Sequence, residues 1–484
     1  MLFNSYIFVF AFLPICLLGY FALNRFKKFT LARGFLFGMS LWFYGYFNPA
    51  YILIIISSIL VNFGAYRLIV ATDDRKRRKV FMILGVVFDL GLLGYFKYMD
   101  FFIGNINALF KADIPFLHIA LPLGISFFTF QQISFVADAY RGEVPKYDFL
   151  SYACFVAYFP QLIAGPIVSH SELVPQLMDE SKKKFSWDNF SKGMFLFILG
   201  LSKKVLLADV FGGAIPYGFT ISEKLNSTTA WLVILGYTIQ LYFDFSGYCD
   251  MAMGLGKMMN LEIPQNFDSP LRSANIGEFW RRWHMTLGRF FTKYVYIPLG
   301  GNRKGLVRTC INTMIVFFLS GLWHGAAWTF VVWGVLHGLM LVIYRIFKKA
   351  IDRIPKFLTA IFNFLFVCFA FVIFRAESFV QALNIFKNAF AFRFGPVDSI
   401  FSDAFRVIEI RKVLAVTHLE SRFPNMILAG YYIFALILIW FAKTAKSCTD
   451  RFRPRVLNCI LAMFLLMWCV CSFAGKSVFL YFNF

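Results

Sequence analysis

Two histidines lie in sequence that otherwise reads as membrane. The stretch LSGLWHGAAWTFVVWGVLHGLMLVIY (319–344) is apolar, yet it carries His324 and His337. An ionisable side chain at membrane depth is costly and is by default a functional candidate. A neutral imidazole costs less than a charge. With an ordinary pKa of about 6.5 it can take a proton from an alcohol at neutral pH. His324 follows a tryptophan and precedes Gly325-Ala326-Ala327, small residues that leave room beside the ring. A base within reach of a hydroxyl and an activated acyl donor suffices for acyl transfer, with no covalent enzyme intermediate. The alternative for His324 is a buried imidazole bonded across helices. For His337 a packing contact weighs as much as a supporting role.

His118 and His170 fall near span ends or loops, and His418 in a polar insert, so these three have little claim on chemistry. His284 lies in an aromatic and basic run, FWRRWHMTLGRFF (279–291). Other chemistries lack their residues. There is no His-Glu-x-x-His or zinc-type Cys/His spacing, no Gly-x-Ser-x-Gly, no P-loop and no dinucleotide fingerprint. The nine cysteines contain no Cys-x-x-Cys pair and read as small core residues or reduced thiols. No metal and no tightly bound cofactor are expected.

The elements that must position these residues are membrane helices. The chain is 59% hydrophobic and 15% charged, where soluble domains are about 45–50% apolar. No polar stretch is long enough for a soluble domain, so residues 1–484 read as one integral membrane domain. A net charge of +22 on a soluble chain would suggest nucleic acid. Here Lys and Arg gather in short loops between apolar spans, as the positive-inside rule predicts, and no nucleic-acid partner is expected.

Candidate spans are 5–23, 35–47, 50–70, 80–98, 119–137, 150–167, 190–210, 228–256, 309–323, 326–346, 357–374, 426–442 and 456–474. The first lacks a positive leader and a small-residue cleavage site. It reads as a retained helix with its N-terminus outside. The basic loops at 24–28, 73–79, 181–185, 345–356 and 443–455 should be cytoplasmic. FPQLIAGPI (159–167), with two prolines and a glycine, suits a broken or re-entrant segment. Residues 257–308 are expected to form a cytoplasmic amphipathic segment on or dipping into the membrane. The more polar insert near 376–425 is expected outside. Spans 309–323 and 326–346 form a hairpin whose far ends are cytoplasmic, so His324 is expected away from that face.

Six motifs then resemble, in order along the chain, the membrane-bound O-acyltransferase family: LPLGISFFTFQQISFVADAYRG (121–142), FPQLIAGPI, QLYFDFSGYCDMAMGLGKMMN (240–260), FWRRWHMTLGRFFTKYVYIPLGGNR (279–303), LSGLWHGAAW (319–328) and FLYFNF (479–484). Within the family the chain is most similar to the bacterial branch of alginate and peptidoglycan O-acetyltransferase membrane subunits. The teichoic-acid D-alanyl transfer proteins are more distant. The resemblance implies an all-α polytopic membrane protein, a ring of about 11–13 transmembrane and re-entrant helices around a central tunnel. The family's Trp-His-Gly histidine falls on His324, and its second active-site position on His284. A bacterial cytoplasmic-membrane location, a glycan acceptor and an extracytoplasmic SGNH-type partner are likewise implied.

On that reading His324 is the general base, and His284 orients the donor or polarises its carbonyl. The donor is acetyl-CoA or a protein-bound thioester in the cytoplasm. Arg281, Arg282, Lys293, Arg303 and Lys304 are candidate contacts for its phosphates, with lipid headgroup contact as the alternative. Asp244, Ser246 and Tyr248 are intramembrane polar groups that would line the tunnel or hold His324 in one tautomer, or else bond helix to helix. Trp280, Trp283 and Trp323 would shape the walls. Two competing classes remain. A polysaccharide or lipid-linked transporter predicts inverted repeats, which the sequence lacks. A scaffold would leave His324 dispensable.

Overall fold

The computed structural model describes residues 1–416, 425–474 and 480. Among the described residues there is no strand. Among these residues six helices are long and apolar enough to cross a membrane. The principal helices are α1 (Phe8–Arg25), α2 (Phe29–Gly45), α3 (Ala50–Val70), α4 (Arg75–Phe110), α5 (Ile125–Arg141), α6 (Trp187–Ser202), α7 (Ser227–Met258), α8 (Ile276–Arg282), α9 (Met285–Phe291), α10 (Gly305–His324), α11 (Trp328–Ile346), α12 (Lys356–Arg375), α13 (Met426–Phe441) and α14 (Val456–Cys471). The chain is a multi-pass membrane protein. Its outward surface carries unpaired large apolar side chains such as Leu18, Leu53, Phe362 and Leu457, as a lipid-facing surface requires.

The span expected at 119–137 starts later, at Ile125. Pro115, Pro122 and Gly124 keep residues 111–124 out of a helix. This loop is tied down where Asp100 accepts the backbone N–H groups of Leu117 and His118 at 2.8 and 2.9 Å. The span expected at 80–98 is longer, because a π-turn over Gly94–Tyr98 lets α4 continue to Phe110. Around 150–167 the chain forms two short helices, Phe149–Ala157 and Phe159–Leu162, buried from Ser151 onward, which fits a segment broken by prolines and covered by protein. The insert's helix Phe379–Ala389 packs across the Ser227 end of α7, where Ser227 Oγ donates to the Asn388 carbonyl at 2.8 Å. His418 and most of FLYFNF lie outside the described residues.

Helix α7 runs through the interior, with most of its 32 residues buried. Helices α10 and α11 form the expected hairpin. They touch backbone to backbone: a Cβ at Gly334 would meet the Phe317 carbonyl oxygen at 2.3 Å, and one at Gly321 the Phe330 carbonyl oxygen at 2.4 Å. Small residues permit this approach, which is how membrane helices gain dispersion energy without a hydrophobic drive. At 1.5 Å per residue the 20 residues of α10 climb about 30 Å, so His324 lies a full hydrocarbon thickness from the basic residues at 303–308.

Candidate active site

Of the two placements open to the segment 257–308, on the membrane or dipping into it, the contacts fit the second: it runs inward from the basic end of α11. Gly277 faces Tyr344 at the basic end of α11. Trp280 reaches Trp333, with ring centroids 5.9 Å apart. His284 comes to 6.3 Å, centroid to centroid, from His324. The chain then descends along α5, with Phe290 stacked on Phe130 at 4.0 Å and Lys293 bonded to Asp138. His284 is therefore the apex of a re-entrant hairpin formed by α8 and α9. A surface amphipathic helix buries one face. Here Ile276, Phe279, Trp283, Thr286, Leu287, Phe290 and Phe291 are all buried, so the segment is enclosed on several sides.

The apex residue has φ 47°, the left-handed region that non-glycine residues rarely occupy. It is held there by Asn266. The Asn266 carbonyl accepts the Met285 N–H at 3.0 Å, and Asn266 Oδ1 accepts the Thr286 N–H at 3.2 Å and the Thr286 hydroxyl at 2.9 Å. A backbone N–H can only donate, so Oδ1 is correctly an acceptor. His284 Nδ1, 3.3 Å from the same oxygen, must then be the protonated nitrogen. Nε2 keeps its lone pair and has no hydrogen-bond partner among the described residues. In this tautomer His284 can accept a hydrogen bond in the site but cannot donate one to a carbonyl. That favours the orienting role over the polarising one.

His324 closes α10 and is 5% exposed. Its ring is bounded by Trp323, Trp333 and Phe374 at 4.9, 5.0 and 5.3 Å. Beside it is a cavity of about 30 Å³, lined by Lys97, the 121–127 turn, Ile163, Trp323 and His324. Lys97 and Leu121 also line a larger cleft of about 290 Å³, whose other wall is Gly325, Ala326 and Ala327. The small residues after His324 thus border open space, as their size suggested.

His337 is fully buried in an aromatic cage, 4.8 Å from Trp333, 5.1 Å from Trp280 and 5.2 Å from Phe366. Trp333 separates it from His324, so it supports the wall rather than reaching the cavity. Trp283 packs between Phe267 and Phe371 at 5.0 and 5.1 Å. Trp323 donates its indole N–H to the Ser126 carbonyl at 3.2 Å.

Two of the three polar groups expected near His324 have partners elsewhere. Asp244 pairs with Lys204 at 2.6 Å and accepts the Leu480 N–H at 2.9 Å. Tyr248 stacks on Phe3 at 4.7 Å, and Ser246 is buried within α7. The face of α7 toward the histidines carries Phe245, 4.9 Å from His284, and Cys249, which accepts from Asn266 at 3.4 Å. Asp244 and Tyr248 lie one residue earlier, about 100° round the helix. Asp244 ties α7 to Lys204, the helix-to-helix bonding that was its alternative role.

The five cations are not gathered in one pocket. Lys293 is paired with Asp138 at 2.9 Å and Glu143 at 2.7 Å. Partial burial opposes its charge, but these two bonds hold the ammonium above its ordinary range. It is spoken for, contrary to the expectation that it contacts donor phosphates. Asp138 also faces His170 at 3.3 Å and the Tyr294 hydroxyl at 2.8 Å, which gives His170 a structural partner. Arg282 pairs with Glu278 at 2.8 Å. Arg281, Arg303 and Lys304 are exposed on the basic rim. His118 is exposed in the 111–124 loop. Sequence reasoning missed Asn266, Trp333, Phe374 and Lys97. Of these only Lys97, a lone cation inside the apolar run GYFKYMDFF (94–102), carried a signal.

Comparison with known proteins agrees with this architecture. The model of the membrane-bound O-acyltransferase family matches residues 122–380, which hold both histidines. The chain is 42% identical over 418 residues to the peptidoglycan O-acetyltransferase of Helicobacter pylori, covering 80% of this chain and 79% of that protein. It is 40% identical over 402 residues to a Pseudomonas aeruginosa protein named "Probable alginate O-acetylase AlgI", covering 81% and 75%. The teichoic acid D-alanyltransferase of Bacillus subtilis is 27% identical over 337 residues, 62% of this chain and 85% of its own. The buried histidine pair and the re-entrant hairpin that carries half of it thus belong to a member of the membrane-bound O-acyltransferase family.

Proposed function

We propose that this chain is an O-acetyltransferase of the bacterial cytoplasmic membrane, in which His324 is the general base. It moves an acetyl group from a cytoplasmic thioester, acetyl-CoA or a protein-bound carrier, to a hydroxyl of an extracytoplasmic glycan or an SGNH-type partner protein. The observation that carries the reading is the meeting of His284 and His324, 6.3 Å apart, from two segments that both start at the basic face. The names of the relatives, two O-acetylating and one D-alanylating, support acetyl as the group and a glycan as the acceptor.

In this scheme the N-terminus and the 376–425 insert are extracytoplasmic. The acceptor hydroxyl enters through the cleft beside Gly325–Ala327. The donor approaches from the rim carrying Arg281, Arg303 and Lys304, whose charges attract its phosphates. His324 takes the hydroxyl proton as the oxygen attacks the thioester carbonyl. The C–S bond breaks as the C–O bond forms, and the proton passes to the departing thiolate. His284 accepts a hydrogen bond from the donor or acceptor through its free Nε2 and aligns it. General-base action is worth about 10²–10⁴-fold, and alignment in the enclosed site supplies much of the rest.

The test is transfer of radiolabel from acetyl-CoA to glycan or partner in membranes, with His324→Ala and His324→Gln at matched abundance. Both variants should lose transfer by at least a hundredfold. Full transfer in either one removes the base from this mechanism.

A further inference from the structure

Helix α10 ends at His324, so its last carbonyls have no acceptor role left within the helix and need donors from elsewhere. Two consecutive residues of α4 supply them. The Tyr98 hydroxyl donates to the Leu322 carbonyl at 2.6 Å. The Lys97 ammonium donates to the Trp323 carbonyl at 2.7 Å, the His324 carbonyl at 3.0 Å and Ser126 Oγ at 3.2 Å. Both residues lie in the π-turn Gly94–Tyr98, a local insertion of the kind that re-aims side chains at functional sites. Positive charge is also the sign that a helix C-terminus favours.

An ammonium has three N–H donors, and all three are used here on protein oxygens. Lys97 borders the cavity at His324 and the outer cleft, yet has no donor left for a phosphate, a carboxylate or a developing oxyanion. Burying a cation among membrane helices for packing alone would be a poor exchange. The geometry points to Lys97, assisted by Tyr98, as the positioning residue that fixes where the His324 imidazole stands in the transfer site. The same π-bearing helix also holds the outer loop through Asp100, so one element sets both the base and the wall opposite it.

This inference rests on His324 being the base, and the experiment separates the two. Lys97→Met, Lys97→Gln, Lys97→Arg and Tyr98→Phe are made in the full chain and purified in detergent or proteoliposomes. For each, kcat, donor KM and the melting temperature are measured with acetyl-CoA. Lys97→Met should lower kcat by tenfold or more with donor KM within about twofold. Lys97→Gln and Tyr98→Phe should fall between it and the parent, and Lys97→Arg should recover part of the rate. Lys97→Met added to His324→Ala should cost nothing further. A parental kcat in Lys97→Met, or in Lys97→Gln and Tyr98→Phe where the Met variant does not fold, overturns the inference. So does a change confined to KM, which marks a ligand contact. Activity surviving in His324→Ala defeats the base assignment instead, whatever Lys97 does.

Discussion

The two histidines reach one site by opposite routes. His284 is held from nearby in the chain: Asn266, 18 residues before it, fixes both its left-handed backbone and its tautomer. His324 is held from far away. Its helix end is capped by Lys97 and Tyr98, more than 220 residues earlier, and its height is set by the glycine contact of α10 with α11. A local clamp can keep an apex in shape even when the surrounding helices shift. A remote clamp cannot, because it works only if both helices are seated. The pair therefore combines a self-contained element with one that reports the assembly of the whole bundle.

The largest effect should come from unseating the remote side. Gly334→Leu places a Cβ 2.3 Å from the Phe317 carbonyl oxygen, which as backbone has little freedom to move. Overpacking of this kind costs about 1–3 kcal/mol or more. Transfer should fall at least a hundredfold and the melting temperature should drop. Gly64, with nothing within 4 Å of an added Cβ, supplies the control: Gly64→Ala should match the parent in both readings. Equal behaviour of the two variants would mean that the α10–α11 contact does not set His324.

Loosening the local clamp should cost less. Asn266→Ala removes the acceptor that keeps the His284 proton on Nδ1, together with the side-chain bonds to Thr286 at the start of α9 and to Cys249 on α7. The His284 bond alone is worth about 1–1.5 kcal/mol, roughly tenfold in rate, and the bonds to Thr286 and Cys249 are lost with it. We expect kcat to fall by about tenfold or more, with a smaller drop in melting temperature than Gly334→Leu shows. Asn266→Asp keeps an acceptor and should retain more activity than Asn266→Ala. A reversed order would show that Asn266 does not act by fixing the tautomer.

What could be read in advance follows the same division. The membrane class, the α10–α11 hairpin and the motifs that carry His324 and His284 were legible, because hydropathy, loop charge and motif are local properties. The broken helix at 159–167 was legible for the same reason, from its prolines. The depth of the 257–308 segment was not. Its aromatics and arginines read equally well as an interfacial helix, and only tertiary contacts with α5 and α11 show that it is enclosed. For Asp244 the sequence left two roles open, beside His324 or between helices, because composition says only that a carboxylate is in the membrane; its position on α7 gives it to Lys204. Lys97 was overlooked although a cation in an apolar run is itself a signal. Its role depends on a helix end that lies 227 positions further on.

The smallest expected effect concerns the cations, and it sharpens the difference between clamped and free groups. Lys293 is 43% exposed at its side chain and bonded to Asp138 and Glu143, so its charge is neutralised before any donor arrives. The pair with Glu143 is exposed and contributes about 0–1 kcal/mol; Asp138 is buried, but it keeps His170, Tyr294 and Arg141 when Lys293 is lost. Lys293→Gln should leave donor KM unchanged, with any loss of stability limited by the partners that Asp138 keeps. Arg303 and Lys304 stand exposed on the rim, so the double change Arg303→Gln with Lys304→Gln should raise the KM for acetyl-CoA several-fold. That increase should shrink as salt is added, since screening at 0.1 M ionic strength already acts over about 10 Å. Donor KM is the reading that decides. If Lys293→Gln raises it and the rim pair does not, the donor enters along α5 rather than past the start of α10, and the basic rim belongs to the lipid headgroups.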